Sequence, residues 1–435
     1  MKSSIKSKSS TSSLTDKNSF NSVSASLLSV LAGLVVGGVL TLLVASFSKD
    51  ISLKAGIEGV KLIFFGLFST GRNTMGELTF GFNAVSFGNL LFRATPVIMT
   101  GLSVAVAFKA GLFNIGAPGQ YLMGTASTLF VALRLPPEAV PSAIIWILAF
   151  VSGLTAGALW GAIPGFLKAY LNINEVLACI MTNWIAANLV TWFFESSDLR
   201  NAAESGKIGY IMPTRMNGVM TPSFGLDRIF SGSQANGGIL IAIVFSLLIY
   251  VIIYKTTFGY TLKACGSNRY AAEYAGIKSK RITVFTMAIA GLLSGGGAAL
   301  YYLSGSTEFF HATYQSLPQE GFNGIPIALL AVNNPIGVIF SGLFMSMLNI
   351  AGQQLKNLTS FNEYLTDIII GAIVYLSAFA LVIRYLLSQR GRKKAVTAAV
   401  EGGSSTTAQV QTDAQEEILR ELRSDYPSDE KEGDN

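Results

Sequence analysis

Ten apolar segments, most of them long enough to cross a lipid bilayer, follow one another along this chain of 435 residues. A helix needs about 20 apolar residues to cross the hydrocarbon core at a rise of about 1.5 Å per residue. The segments are 25–46, 87–108, 113–133, 142–167, 176–194, 238–254, 282–302, 321–332, 336–350 and 365–387. A shorter apolar stretch, 57–68, predicts an interfacial or re-entrant helix. The sequence therefore predicts an all-α polytopic membrane protein with about ten transmembrane helices.

The composition agrees with this prediction. Hydrophobic residues make up 51% of the chain and charged residues only 13%, and the mean hydropathy is +0.49, so most of the protein must be buried in lipid. The net charge of +6 comes from basic residues at the ends of apolar segments, where they set the topology and meet lipid headgroups. We expect contact with membrane lipid and no nucleic-acid partner.

The orientation follows from the positions of the basic residues. With the N-terminus inside, ten spans place Lys168, the loop 255–281 and the basic residues after Arg384 on the cytoplasmic side, as the positive-inside rule requires. We expect both termini to be cytoplasmic. The long segment 195–237, which has charges of both signs, is then external.

The two ends of the chain differ from the apolar segments. Residues 1–24 are rich in Ser, Thr and Lys, and residues 388–435 pass from a Ser/Thr/Ala linker to an acidic end. Both are too polar to pack against membrane helices. We therefore expect a disordered basic tail, a transmembrane domain over residues 25–387 and a disordered acidic tail. The two cysteines, Cys179 and Cys265, are too few for a metal cage, and no metal site is expected.

Gly and Pro interrupt two elements that occupy corresponding places in the chain. Spans two to five and spans seven to ten form groups of four, inserted in opposite senses. Residues 114–120 (NIGAPGQ) are expected to open the third span, and residues 321–326 (GFNGIP) the eighth. Such pairs predict an inverted repeat and a translocation path, because half-helix ends expose backbone groups that a polar cavity must satisfy. Close helix packing is the competing explanation for the glycines.

The sequence indicates no energy source within this chain. A GxxxxGK[ST] phosphate loop is missing, and the Gly-rich runs 266–269 and 295–297 lack the Lys and Ser/Thr that would hold phosphate and magnesium. The second run predicts close helix packing. Charged residues such as Arg93 and Glu175 fall near predicted span ends, so no proton relay is indicated. We expect a transport protein that is not itself an enzyme.

Three stretches resemble the permease subunits of bacterial ABC importers for nucleosides and simple sugars. They are residues 101–116 (GLSVAVAFKAGLFNIG) followed by Gly119 and Gln120, residues 259–277, and residues 321–337. The resemblance extends over about residues 87–387 and implies the ten-span fold shared with ribose and branched-chain amino acid permeases. It also implies a multi-pass protein of the bacterial inner or plasma membrane.

The same resemblance implies partners. They are cytoplasmic ABC ATPase subunits that would bind ATP and Mg²⁺, a second permease subunit in a homo- or heterodimer, and an extracytoplasmic substrate-binding lipoprotein. No cofactor is expected in this chain. One position departs from the family pattern, which usually reads Asn-Ile-Gly-x-Glu-Gly-Gln, because Pro118 replaces the Glu. A proline there removes a backbone donor and should strengthen the helix break, while the role of the missing carboxylate stays open.

The polar, basic loop 255–281 predicts a docking surface on the cytoplasmic side. Residues 264–274 favour a short helix, and the small residues around them would let a partner backbone come close. We interpret the loop as a coupling helix that docks on the ATPase; a plain solvated connector is the alternative. The residues assigned to the contact are Gly266, Asn268, Ala272, Glu273 and Gly276.

Polar and aromatic residues near the breaks and on the fifth span are candidates for the path. They suit a ligand that both stacks and accepts hydrogen bonds, as a nucleoside does. The candidates are Asn114, Gln120, Asn183, Trp184, Asn188 and Asn323. For Asn183 and Asn188, hydrogen bonding between helices is an equal explanation.

The sequence thus favours the permease subunit of an ATP-driven ABC importer for nucleosides. A simple-sugar ABC permease is the alternative. An ion-coupled secondary transporter would need an intramembrane carboxylate or ion cage, for which Asp367 is the one candidate. A scaffold or receptor would leave the paired breaks unexplained.

Overall fold

A computed structural model describes residues 31, 33–48, 51–197, 199, 218–310, 316–362, 367, 368, 371, 372 and 375. The chain divides into two compact units, residues 1–60 with 362–435, and residues 61–361. Helix α1 (Gly33–Phe47) belongs to the first unit, and α2 (Leu53–Phe65) begins in it. Both expected tails, 1–24 and 388–435, lie outside the described residues, as does most of the predicted tenth span.

The second unit consists of helices and one small hairpin. Its elements are β1 (Ser69–Arg72), β2 (Leu78–Phe80), α3 (Ala84–Lys109), α4 (Ala117–Arg134), α5 (Ser142–Leu171), α6 (Glu175–Glu195), α7 (Leu226–Ile229), α8 (Gly238–Lys255), α9 (Thr257–Ser267), α10 (Arg269–Tyr274), α11 (Ser279–Tyr302), α12 (Gln319–Leu330) and α13 (Pro335–Leu358). Six of the described helices, α3, α5, α6, α8, α11 and α13, are long and apolar enough to cross a membrane. The chain is therefore a multi-pass helical membrane protein. The count of ten spans and the inverted repeat stay predictions.

Helix α3 lies at the centre of the second unit. It begins where the Asn83 side chain accepts a hydrogen bond from the Ser86 N–H at 3.0 Å, which caps the first turn. It ends at Lys109, shortly before Gly111 turns the chain with a φ of +68°. Most of its residues between Ala94 and Ala107 are fully buried, because α8, α11, α12 and α13 all pack against it.

Helices α5 and α11 form the most extensive helix contact of the unit. Glycines spaced four residues apart on α5 face glycines on α11, so the two backbones touch. A Cβ on Gly157 would lie 2.2 Å from the carbonyl oxygen of Gly291, and one on Gly295 would lie 2.3 Å from that of Gly153. This confirms the close-packing interpretation of the 295–297 run. Lipid tails are as apolar as the side chains, so apolar burial alone gives membrane helices little driving force to associate. Van der Waals contact between closely packed backbones holds the helices together.

The eighth predicted span is a short helix that begins two residues before the predicted start. Helix α12 begins at Gln319 and not within residues 321–326, and it is only 12 residues long with Pro326 inside it. A tight turn follows, in which Val332 has a φ of +52°. Asn334 then caps α13 by accepting from the Ile336 N–H at 3.0 Å. The predicted eighth and ninth segments are thus two helices joined by a sharp break.

Candidate functional site

The starts of α4 and α12 are in direct contact. Helix α4 begins at Ala117 with Pro118 in its first turn, where the missing proline N–H would have no partner inside the helix in any case. A Cβ on Gly321 of α12 would lie 2.5 Å from the Pro118 Cα. The two Gly/Pro motifs, about 200 residues apart in sequence, therefore meet in space.

The contact lies deep within the helical unit. The Ser294 hydroxyl donates to the Ala117 carbonyl at 2.7 Å, and Ser294 is about 22 Å along α11 from its start at Ser279. The Thr100 hydroxyl likewise donates to the Glu320 carbonyl at 2.8 Å. The starts of α4 and α12 are thus held beside the middle of neighbouring helices by hydroxyl groups of those helices.

Three of the predicted path residues form one buried cluster beside this contact. The Asn114 amide donates to Gln120 Oε1 at 3.0 Å and to Ser103 Oγ at 3.1 Å. The Gln120 amide donates back to Asn114 Oδ1 at 3.1 Å. Asn114, Gln120 and Asn183 are 0%, 1% and 2% exposed. In this conformation they hold the helix break together, and their exposure to a path stays a prediction.

Asn183 caps α4 from a different helix. Gly116, the residue before α4, has no side chain that could cap this helix, so the amides of the first turn need other acceptors. The Gly119 N–H donates to Asn183 Oδ1 at 2.9 Å, and the Asn183 amide donates to the Ile115 carbonyl at 2.9 Å. The sequence left two explanations for Asn183, a path residue or a hydrogen bond between helices. The structure shows the hydrogen bonds.

The remaining path candidates lie on partly or fully exposed faces. Trp184 is 55% exposed, and its indole N–H has no partner among the described residues. Asn188 is also exposed and donates to the Trp184 carbonyl at 2.8 Å. Asn323 is half-buried on α12. The structure therefore separates the candidates into a buried cluster, an exposed face of α6 and a position on α12.

The exposed face of α6 carries two side chains that are unusual in the middle of a lipid-facing surface, beside aliphatic residues such as Ile185. Trp184 and Asn188 lie about 14 and 20 Å from the start of this helix, in its middle. Tryptophan is usual near the membrane interfaces, and an amide is costly in the hydrocarbon core. By contrast, the exposed residues of α8 from Leu240 to Val251 are all aliphatic. The α6 face is suited to another protein surface or to a polar path.

A pocket of about 390 Å³ lies beside the first half of α3 and the end of α11, on the side opposite the 255–281 loop. Arg93 lines this pocket. The sequence predicted that this residue lies near the end of a span, but Arg93 lies well inside α3. Tyr301 also lines it and stacks on Phe92 with ring centroids 5.4 Å apart. Sequence reasoning missed this pocket, since its residues come from segments far apart in the chain.

The 255–281 loop folds into two helices, α9 and α10, and not into the single helix predicted over 264–274. Asn268 lies between the two helices, and its side chain caps α10 by accepting a hydrogen bond from the Ala271 N–H at 3.0 Å. This capping explains why the helix restarts there. The prediction of a helical loop is confirmed, and its boundaries were wrong.

All five predicted docking residues have roles within the chain itself, Asn268 as the cap just described. A Cβ on Gly266 would lie 2.5 Å from the Lys109 carbonyl oxygen, so this glycine seats α9 against the end of α3. Ala272 is buried. Gly276 has a φ of +83° and ends α10, and a Cβ there would meet open space. The sequence predicted Gly276 as a place where a partner backbone comes close. In this chain alone, the glycine is needed for the positive φ at the end of α10.

Glu273 ties α10 to the start of α11. Its carboxylate accepts hydrogen bonds from the Ser279 hydroxyl and from Arg269 Nε, the latter at 3.2 Å. The Ser279 hydroxyl, followed by the Arg269 guanidinium, lowers the pKa of Glu273 below its usual value of 4.5. The carboxylate is therefore charged at neutral pH and fixes the orientation of α10.

Two exposed tyrosines on α10 were not anticipated. Tyr270 and Tyr274, four residues apart on one helix face, are 84% and 97% exposed. Exposed aromatic pairs of this kind are typical anchors of protein interfaces. Their spacing within a predicted helix was the available sequence signal.

Six helices of membrane length, with the starts of α4 and α12 in contact among them, define a membrane protein built like a transporter. The chain belongs to the family described as branched-chain amino acid transport system / permease component, whose pattern matches residues 86–378. This confirms the resemblance found in the sequence.

Individual relatives are more specific. The chain is 33% identical over 321 residues to a nucleoside ABC transporter permease protein of Lactococcus lactis subsp. cremoris, covering 74% of this chain and 86% of the relative. It is 30% identical over 369 residues to a guanosine ABC transporter permease protein of Bacillus subtilis, covering 85% and 97%. A glucose ABC transporter permease protein of Haloferax volcanii is 31% identical over 292 residues, covering 66% and 74%.

Proposed function

We propose that this chain is the membrane-spanning permease subunit of an ABC importer for nucleosides. The observation that carries the proposal is its similarity, over most of its length, to permease proteins named for nucleoside and guanosine transport. Simple sugars are the second candidate, because a glucose permease is nearly as similar. The proposed partners are a cytoplasmic ATPase that binds ATP and Mg²⁺, a second permease subunit and an external binding lipoprotein.

The proposed topology has ten spans with both termini cytoplasmic. The six membrane-length helices account for six of them. Helices α1, α4 and α12 with the segment 365–387 would supply the rest. The contact between the starts of α4 and α12 supports an inverted repeat, since corresponding half-helices of two repeats are expected to meet near the middle of the membrane.

The proposed path runs along the exposed face of α6, between this chain and a second permease subunit. Trp184 can stack on a base, and Asn188 has an amide that can hydrogen-bond to a solute. The buried cluster of Asn114, Gln120 and Asn183 would lie on the opposite side of α6 from the path and stabilise the position of this helix. A path at a subunit interface explains why mid-helix polar and aromatic groups are exposed in the single chain.

The proposed coupling surface is α10. Its tyrosines project from a helix whose start is capped by Asn268, whose end is set by Gly276 and whose orientation is fixed by Glu273. A rigid, short helix with exposed aromatic side chains can enter a groove of an ATPase subunit at low entropic cost. Movement of the ATPase would then reach α11 directly through the bond between Glu273 and Ser279.

Uptake by cells tests the function. A deletion strain that lacks this chain should lose ATP-dependent uptake of radiolabelled guanosine and regain it with the intact gene. Labelled glucose serves as the parallel substrate. Restoration of glucose uptake alone would favour the sugar alternative. Restoration of uptake that depends on an ion gradient and not on ATP would favour a secondary transporter.

A further inference from the structure

Arg93 lies in the third turn of α3, about 14 Å along the helix from its start at Ala84. Its side chain is half-buried, and no described residue accepts a hydrogen bond from its guanidinium or forms an ion pair with it. A cation without a partner is costly inside a membrane-length helix, and ionisable residues at such positions usually contact a solute or an ion. Arg93 is therefore a candidate for direct contact with the solute.

Glu308 lines the same pocket as Arg93 and comes from the segment after α11. Its side chain is half-buried, and its carboxylate neither pairs with Arg93 nor accepts a hydrogen bond from any other described residue. The pocket thus presents a fork of hydrogen-bond donors at one place and a pair of acceptors at another. A ligand that satisfies both groups must carry acceptors on one edge and donors on a second edge.

Aromatic side chains form another part of the pocket lining. The rings of Phe92 and Tyr301 are stacked, with centroids 5.4 Å apart and planes 15° from parallel. Phe310 also lines the pocket and is 54% exposed. The volume of about 390 Å³ lies in the range of small-molecule sites. A flat ring system with polar edges suits such a lining.

Contacts between distant segments hold the pocket walls in place. The Gln234 N–H donates to Asn89 Oδ1 at 3.0 Å, which attaches the segment before α8 to α3. Phe309, next to Glu308, packs its ring against that of Phe194 at the end of α6, with centroids 5.1 Å apart. The pocket therefore adjoins the end of the helix that carries the proposed path.

We propose that Arg93 and Glu308 recognise two edges of a guanine base in this pocket before the solute enters the path. The O6 and N7 atoms of guanine are adjacent acceptors, and an arginine binds them with two parallel N–H donors. The N1–H and the N2 amino group are adjacent donors, and one carboxylate can accept from both. The inference rests on the proposed import of nucleosides and specifies the base that is recognised.

The test compares the import of guanosine with that of two analogues, using the complete transporter in proteoliposomes with saturating binding protein. 7-Deazaguanosine lacks the N7 acceptor, and inosine lacks the N2 amino donor. The import rates give two ratios, guanosine to 7-deazaguanosine and guanosine to inosine. The binding protein is the same in every reaction, so its own preference cancels when a ratio is compared between a variant and wild type.

Arg93→Met removes the donors and keeps an unbranched side chain. It should lower the guanosine to 7-deazaguanosine ratio about fivefold or more, because the N7 atom then has no charged donor to lose, and it should change the guanosine to inosine ratio less than about twofold. Glu308→Met should have the opposite pattern. Arg228→Met, at an exposed position on α7 outside the pocket, is the matched control and should change neither ratio.

Arg93→Lys is the second variant at this position and applies if Arg93→Met does not yield a monodisperse transporter. It keeps the positive charge and loses the planar fork that binds two acceptors at once. It should therefore lower the same guanosine to 7-deazaguanosine ratio.

The outcomes separate the base site from the function. If wild type imports guanosine and either ratio is unchanged in its own variant, the base site is overturned while nucleoside import stands. The same conclusion follows if one variant lowers both ratios equally. If wild type imports glucose and no nucleoside, nucleoside import and the base site are both overturned.

Discussion

Asn183→Leu should loosen the start of α4, because Asn183 supplies its cap from another helix. The substitution keeps nearly the same side-chain volume and removes two hydrogen bonds, one from the Gly119 N–H and one to the Ile115 carbonyl. Both main-chain groups would be left without partners in a site where Asn183 is 2% exposed. The loss is therefore confined to polar groups that water cannot reach.

The expected magnitude follows from those two bonds. Leaving a buried group unpaired costs about 1–3 kcal/mol in water-soluble proteins. Side-chain hydrogen bonds between membrane helices average about 0.6 kcal/mol and reach about 1.7 kcal/mol. For two fully buried bonds we expect a loss of about 2–3 kcal/mol, which corresponds to a fall of about 4–10 °C in melting temperature.

Thermal unfolding of the purified protein in detergent, followed by the loss of the monodisperse peak, measures this fall. Asn188→Leu is the matched control, since it makes the same chemical change on an exposed face of the same helix. It should shift the melting temperature by less than about 2 °C. Equal shifts for the two variants would refute the assignment of Asn183 as the cap of α4.

Other predictions concern packing, exposure, coupling and pH. Gly291→Ala places a Cβ 2.0 Å from a carbonyl oxygen of α5 and should lower stability by about 1–3 kcal/mol, measured in the same thermal assay; an unchanged melting temperature would contradict the close contact. Asn188→Cys should react with a hydrophilic thiol reagent in the assembled transporter, and Val244→Cys should not; equal protection would argue against a path along α6. Tyr274→Ala should weaken binding of the ATPase about tenfold or more in a pull-down, with normal membrane insertion, and wild-type binding would remove α10 as the anchor. The pKa of Glu273 is lowered, so its stabilising contribution is present above the usual value of 4.5 and is lost as the pH falls through the lowered value. Amide protection at the α10–α11 junction should therefore hold from neutral pH down to 4.5. Loss of this protection between pH 7 and 4.5 would contradict the prediction.

The sequence located most of the helices in the second unit to within a few residues. The segments predicted at 176–194 and 238–254 are found as Glu175–Glu195 and Gly238–Lys255. These boundaries are local properties, because the length of an apolar run and the polar residues at its ends suffice to define a membrane helix. The end of α13, predicted at residue 350 and found at Leu358, was less accurate, because its last turns include the polar residues Gln353, Gln354 and Lys356.

The partners of the polar residues were not available from the sequence. Asn183 and Asn188 are the same residue type on one helix, yet one caps α4 and the other is exposed. Helical periodicity distinguishes faces in a soluble protein, but lipid and protein interior are similarly apolar, so hydropathy does not tell which face meets another helix.

The sequence by itself thus determined the class of the protein, the positions of its membrane helices and the existence of two Gly/Pro motifs. Only the tertiary structure decided that these motifs touch, that Asn114, Gln120 and Asn183 are buried together, and that the Tyr121 hydroxyl is buried without a hydrogen-bond partner among the described residues. The physical reason is that local composition fixes which segments leave water, whereas hydrogen-bond pairing between segments far apart in the chain depends on how the helices pack.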